Sequence, residues 1–187
     1  MNKNDVFSFF TSIIATSFYF SIVFSLLSSS NFLVYMRNFL VFNFSAVLAP
    51  TLGIVWLWSG KKSDLNVSDR KTRQSIYYLA LFGSFLGLVC FYFLNERLMF
   101  LVSESYFLTL IVFAFINMKW RISLHTAGFT LPITALTFAL GPVALPLHLL
   151  VLPVMWQRVK SKAHTAAQAV MGSVLAGLIT CFVFYFL

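Results

Sequence analysis

Two histidines stand where a run of basic residues gives way to an apolar stretch. One lies in Trp120-Arg121-Ile122-Ser123-Leu124-His125-Thr126-Ala127-Gly128. The other lies in Gln157-Arg158-Val159-Lys160-Ser161-Lys162-Ala163-His164-Thr165-Ala166-Ala167-Gln168. Each segment joins an imidazole to a guanidinium a few residues upstream and to small hydroxyl residues. Ser123 and Ser161 are expected to cap the helices that follow, because a serine oxygen satisfies a free N–H of the first turn. That turn also carries unpaired N–H groups and a partial positive charge, which suits a phosphate. The chemistry matching these residue types is phosphate-ester cleavage. A neutral imidazole attacks phosphorus and forms a covalent intermediate. A second, protonated imidazole gives its proton to the departing oxygen. Guanidinium groups hold the phosphate oxygens and offset the charge of the transition state. No metal and no cofactor are expected, since Asp64 and Asp69 are the only carboxylates in the basic segments.

The elements that must position these groups lie in a membrane. The chain of 187 residues is 60% hydrophobic, 18% aromatic and 10% charged, against roughly 25% charged in a soluble domain. A soluble fold of this size would leave a large apolar patch in water. With about 20 apolar residues needed per crossing, the candidate spans are residues 7–27, 39–58, 76–93, 98–118, 126–140, 143–156 and 165–186. The expectation is therefore an all-α, polytopic transmembrane helix bundle of about six or seven spans, forming a single membrane domain over 1–187. The first run is expected to be a retained helix, because Ser28-Ser29-Ser30 makes a poor cleavage site. The fifth and sixth runs are short and carry Pro132, Pro142, Pro146 and Pro153; Gly141-Pro142 reads as the tight turn between them. Cys90 and Cys181 lie inside apolar runs and read as packing residues.

The connecting segments alternate in charge. The turns near Arg37, near Asn95-Glu96-Arg97 and at Gly141-Pro142 are short and nearly uncharged. The other segments, from Lys61 to Arg73, from Lys119 to Arg121 and from Arg158 to Lys162, are basic. Two spans separate each basic segment from the next, so all three emerge on one face, together with Lys3 at the N-terminus. Of the 13 Lys and Arg, all but Arg37 and Arg97 fall there. The bias leans that face toward the cytoplasm. It is equally what an anion site built from three loops requires.

The two histidine segments resemble the second and third motifs of the type-2 phosphatidic-acid phosphatase family of membrane lipid phosphatases. The third motif of that family is Ser-Arg, five residues, His, three residues, Asp. Here Gln157-Arg158 is followed by five residues, His164, three residues and Gln168. Gln replaces the terminal Asp and Gln157 replaces Ser, and the His-Thr-x-x-Gln form resembles the branch acting on polyprenyl and dolichyl diphosphates. The second motif, Pro-Ser-Gly-His, keeps only Ser123 and His125. The first, Lys, six residues, Arg-Pro, is met by Asn66, Arg73 and Gln74, with Arg70, Lys61 or Lys62 left to supply the missing cation.

The resemblance covers the chain from about Lys61 onward. It implies a phosphatase-like core at 59–187, with 1–58 as two additional N-terminal spans. It implies His164 as nucleophile, His125 as general acid, Gln168 as the group orienting His164, and Arg158, Arg73, Ser123 and Arg70 as phosphate ligands. The implied partners are a phosphorylated membrane lipid, with an isoprenyl diphosphate slightly preferred, and the bilayer itself; no nucleic acid is expected. The alternative reading is a catalytically lapsed member acting as a lipid-binding or assembly protein.

The remaining polar residues have plainer readings. Lys119, Arg121, Lys160 and Lys162 are expected to meet headgroups or set topology. His148 and Glu104, inside spans, are assigned to packing or a pathway. Trp56, Trp58, Trp120 and Trp156 fit an aromatic belt.

Overall fold

The computed structural model describes residues 12–48, 50–52, 55 and 70–187, with side chains from Gln74 onward in the last of these stretches. Among the described residues there are seven α-helices and no strand: α1 (Ile13–Leu27), α2 (Phe32–Phe42), α3 (Arg70–Phe93), α4 (Arg97–Asn117), α5 (Leu124–Leu140), α6 (Val151–Lys160) and α7 (Ala166–Phe186). Five helical stretches are long and apolar enough to cross a membrane: Phe32–Leu52, Gln74–Phe93, Arg97–Asn117, Pro142–Lys160 and Ala166–Phe186. Ile13–Leu27 and Leu124–Leu140 are shorter apolar helices. The protein is an all-α, multi-pass membrane protein.

Helix starts follow local capping chemistry. The Ser12 hydroxyl accepts from the Ala15 N–H at 3.2 Å before α1. The Asn31 carboxamide accepts from the Val34 N–H at 3.0 Å and starts α2, seven residues before the position expected from the apolar run. Arg37 accordingly lies inside α2, not in a turn. Its charge is tolerated there because its guanidinium pairs with Glu96 and donates to the Asn38 side-chain Oδ1 at 3.1 Å. Phe42 leads into a π-helical turn, Asn43–Leu48, a form that departs from the regular hydrogen-bond ladder. Asn95 has φ 55°, a left-handed conformation that Asn tolerates, and so turns α3 back into α4.

The sixth span also differs from expectation. Gly141, with φ 78°, ends α5, and the chain continues as a 3-10 helix over Pro142–Leu150 before α6. The missing N–H of Pro146 breaks the regular α-helical ladder here. The tighter winding lengthens the rise to about 2.0 Å per residue. The 19 residues of Pro142–Lys160 then extend about 33 Å, enough for a hydrocarbon core of about 30 Å.

The chain divides into two compact units, residues 1–20 with 121–187, and residues 21–120. In the second, α3 and α4 form an antiparallel hairpin. It is tied at one end by the Asn117 amide donating to the Gln74 side-chain oxygen at 3.4 Å. At its turn, Glu96 meets Arg37 of α2. Fully buried Asn38 donates to the Ser28 hydroxyl at 3.0 Å, and Phe42 meets the edge of Tyr106 at 5.8 Å.

In the first unit, α5 and α7 pack along a seam of small and hydroxylated residues. Thr126 donates to the Ala169 carbonyl at 2.9 Å and Thr130 meets Ser173 at 2.6 Å. Such close approach through Gly, Ala, Ser and Thr is how helices associate where lipid removes the hydrophobic drive. Gly172 sets the distance: a Cβ there would lie 2.5 Å from the Ser123 carbonyl oxygen and 2.6 Å from the Thr126 hydroxyl. Cys90 and Cys181 are free and exposed on α3 and α7.

Candidate anion site at two helix starts

Ser123 caps α5 as the sequence suggests. It is fully buried, and its hydroxyl accepts from the Thr126 N–H at 3.5 Å. His125 is the second residue of α5 and half-buried. Ser161, by contrast, caps nothing at α7; it closes the C-terminus of α6, where its hydroxyl donates to the Arg158 carbonyl at 3.3 Å. The reason is the turn that follows. Lys162 adopts φ 56°, the left-handed conformation that ends many helices. The N–H groups of Ala163 and His164 then fold back onto the Arg158 carbonyl at 3.1 and 3.2 Å. The α7 cap is Thr165, in a reciprocal capping box: the Gln168 N–H donates to the Thr165 hydroxyl at 3.3 Å, and the Thr165 N–H donates to the Gln168 side-chain oxygen at 3.0 Å. His164 sits just outside the helix.

The two helix starts are joined directly. The Ser123 N–H donates to the Gln168 carbonyl at 3.3 Å. The His164 Nδ1 lies 3.2 Å from the Arg121 carbonyl oxygen. A carbonyl oxygen only accepts, so Nδ1 carries the proton and Nε2 is left with the lone pair. Burial, followed by the positive charges of Arg158 and Arg121, holds the His164 pKa down to about 4, against weaker upward pulls from the Arg121 carbonyl and the Gln168 side chain. The ring is therefore neutral at pH 7. Arg158 is 5% exposed. The stretch 121–187 contains Arg121, Arg158, Lys160 and Lys162 and no Asp or Glu. A buried guanidinium, a second guanidinium and a neutral imidazole at two helix starts form a setting for an oxyanion beside a nucleophilic nitrogen.

Ser123, Arg158, His164 and Gln168 are brought together, with His125 on the first turn of α5. Gln168 does two jobs: it completes the α7 capping box, and its side chain pulls the His164 pKa weakly upward. The strongest orienting contact on the ring comes from the Arg121 backbone, which the sequence does not reveal. The carbonyl belongs to Arg121, whose side chain the sequence reading assigns to headgroups or topology. Its one signal in the sequence is an arginine upstream of a histidine, four residues before His125, where Arg158 stands six before His164. Arg70 and Arg73 lie in the first turn of α3, and their side chains fall outside the described residues, as do Asn66, Lys61 and Lys62. His148 makes a packing contact, its Nε2 3.3 Å from the Thr134 hydroxyl. Among the described residues no group of His, Cys, Asp and Glu is arranged to hold a metal ion.

A scan against protein-family models, a search of curated proteins and a search of solved structures each find no match.

Proposed function

We propose that the protein is an integral membrane lipid phosphatase that removes a phosphate from a lipid headgroup, an isoprenyl diphosphate being the favoured substrate, through a phosphohistidine intermediate. The observation that carries this reading is His164: a neutral ring, its Nδ1 proton fixed on the Arg121 carbonyl at 3.2 Å, beside Arg158 and the start of α7. In the first step Nε2 attacks the terminal phosphorus and the P–O bond to the leaving group breaks. His125, as the cation, gives its proton to the leaving oxygen, so an isoprenyl diphosphate departs as the monophosphate. Arg158 and the buried Ser123 hold the phosphoryl oxygens. Water then cleaves the P–N bond, with His125 taking its proton, and inorganic phosphate leaves. The positive charge developing on the phosphorylated ring rests against the Arg121 carbonyl.

The test is phosphate release from isoprenyl diphosphate and from phosphatidic acid by the detergent-purified chain. Turnover is expected, falling by about 10³-fold or more in His164→Ala. Turnover that survives this substitution contradicts the mechanism. A chain that binds anionic lipid through Arg158 without any turnover is instead the lapsed, lipid-binding member.

A further inference from the structure

We propose that the cleft beside the α3–α4 turn binds one phospholipid with a primary-ammonium headgroup, of the phosphatidylethanolamine class. Its headgroup sits at the turn and an acyl chain lies along α3 and α4. The proposal is independent of the phosphatase reading, since every residue it uses belongs to the unit of residues 21–120.

Placement comes first. Gln74–Phe93 and Arg97–Asn117 are each long and apolar enough to cross a membrane. The turn between them therefore lies at a bilayer surface, with the helix bodies in hydrocarbon. Two cavities adjoin there. The first, about 430 Å³, has Asn95, Glu96 and Arg97 at its mouth and Tyr92, Phe93 and Phe100 along its wall. The second, about 230 Å³, shares those three aromatic residues, adds Leu88 and Val89, and presents an apolar surface only. Leu88 lies about 7.5 Å deeper along α3 than Phe93, at the helical rise of 1.5 Å per residue. Together the cavities make one groove, charged at the membrane surface and apolar below it. That is the polarity of a lipid molecule, and the volume falls in the range of ligand pockets, about 300–1,000 Å³.

The mouth selects the headgroup. One oxygen of Glu96, Oε1, pairs with Arg37. The other, Oε2, accepts no hydrogen bond from the described residues. A carboxylate oxygen takes donors only, and a charged N–H makes the strongest such bond. Arg97, the next residue, is exposed, and its guanidinium fork suits a phosphate oxygen. A carboxylate oxygen beside a guanidinium matches the ammonium and the phosphate of one ethanolamine headgroup. A choline headgroup has no N–H to give Glu96, and a glycerol headgroup has no positive charge. Below the mouth, Tyr92 meets Phe93 edge-on at 5.5 Å and Phe100 at 6.1 Å. Phe93 is 77% exposed and Tyr92 66%, an aromatic wall for the chain to cover.

The experiment is native mass spectrometry of the full chain in detergent, titrated with dioleoyl phosphatidylethanolamine, phosphatidylcholine or phosphatidylglycerol. One phosphatidylethanolamine is expected to be retained per chain, at least about 5-fold more readily than either other lipid. Glu96→Gln is expected to weaken phosphatidylethanolamine about 10-fold and the other two less than about 2-fold. Arg97→Gln removes the phosphate contact and is expected to weaken all three. Val89→Trp fills the apolar half and is expected to cut retention about 10-fold, whereas Leu178→Trp, on the exposed side of α7, changes it less than about 2-fold.

A general disturbance of the fold by loss of the Arg37 pair would lower retention of all three lipids alike in Glu96→Gln, and that result overturns the headgroup assignment. Preference for phosphatidylglycerol or phosphatidylcholine overturns it too. Wild-type retention in both Arg97→Gln and Val89→Trp, or no lipid retained at all, overturns the site.

Discussion

Arginines are used in two ways in this protein, and the two units differ in what stands beside them. In the unit of residues 21–120, Arg37 meets Glu96 and Asn38 at the turn between α3 and α4. The charge is offset within the fold, and the cluster fastens three helices. In the unit that holds 121–187, Arg121 and Arg158 flank His164 in a stretch without a carboxylate. An ion pair completed by its own chain is architecture. Around His164 the positive charges of Arg158 and Arg121 act on an imidazole that burial keeps neutral, the setting on which the phosphatase proposal rests.

The glycines sharpen this contrast most strongly. A Cβ on Gly172 would strike the Ser123 carbonyl oxygen at 2.5 Å, and backbone cannot rotate away. A Cβ on Gly87 would meet the Ser45 hydroxyl at 2.6 Å, which can turn aside. Gly172→Ala is therefore expected to push α7 from the α5 cap and reduce phosphate release about 10- to 100-fold, since a displacement near 1 Å suffices for that. Gly87→Ala is expected to stay within about 2-fold of wild type, reflecting ordinary repacking. Equal effects in the two variants, measured side by side, would erase the distinction between the units.

Glu96→Gln gives a smaller effect in the opposite place. It leaves Arg37 without its carboxylate and is expected to cost about 1 kcal/mol of stability, read as a lowered midpoint of thermal unfolding in detergent. Phosphate release is expected to be unchanged.

The smallest effect is on pH dependence. Folding lowers the His164 pKa from 6.5 to about 4, so the native state binds fewer protons than the unfolded state between those values. Stability is then full above pH 6.5 and declines as pH falls toward 4. His164→Asn is expected to flatten part of that decline by a few degrees in the unfolding midpoint, roughly, while Glu96→Gln leaves its slope alone.

Much of the fold was legible because each apolar run is long and bounded by charge or by Gly-Pro. Every one of the seven runs contains a helix. The boundaries failed where a short polar signal competed with a charge. Asn31 is a helix cap readable from its type, but Arg37 downstream disguised α2 as a turn. Thr165-x-x-Gln168 is a capping box in plain sequence, overlooked because Ser161 lay nearer the basic segment. The histidine segments and Arg158 were identifiable from residue type and spacing. The contact between the His164 ring and the Arg121 carbonyl was not, because it depends on the reversal at Lys162 and on the close passage at Gly172. Both are properties of folded backbone, with no mark in local composition.

The central claim is that Nε2 of His164 takes a phosphoryl group from a lipid. Its most direct test is to react the purified chain with isoprenyl diphosphate labelled at the terminal phosphate, quench in alkali, which preserves phosphohistidine, and locate the label by peptide mass spectrometry. The expected result is label on His164, absent in His164→Ala and prolonged when His125 is replaced. Label on another residue, or phosphate release with no labelled protein at any time point, contradicts the account.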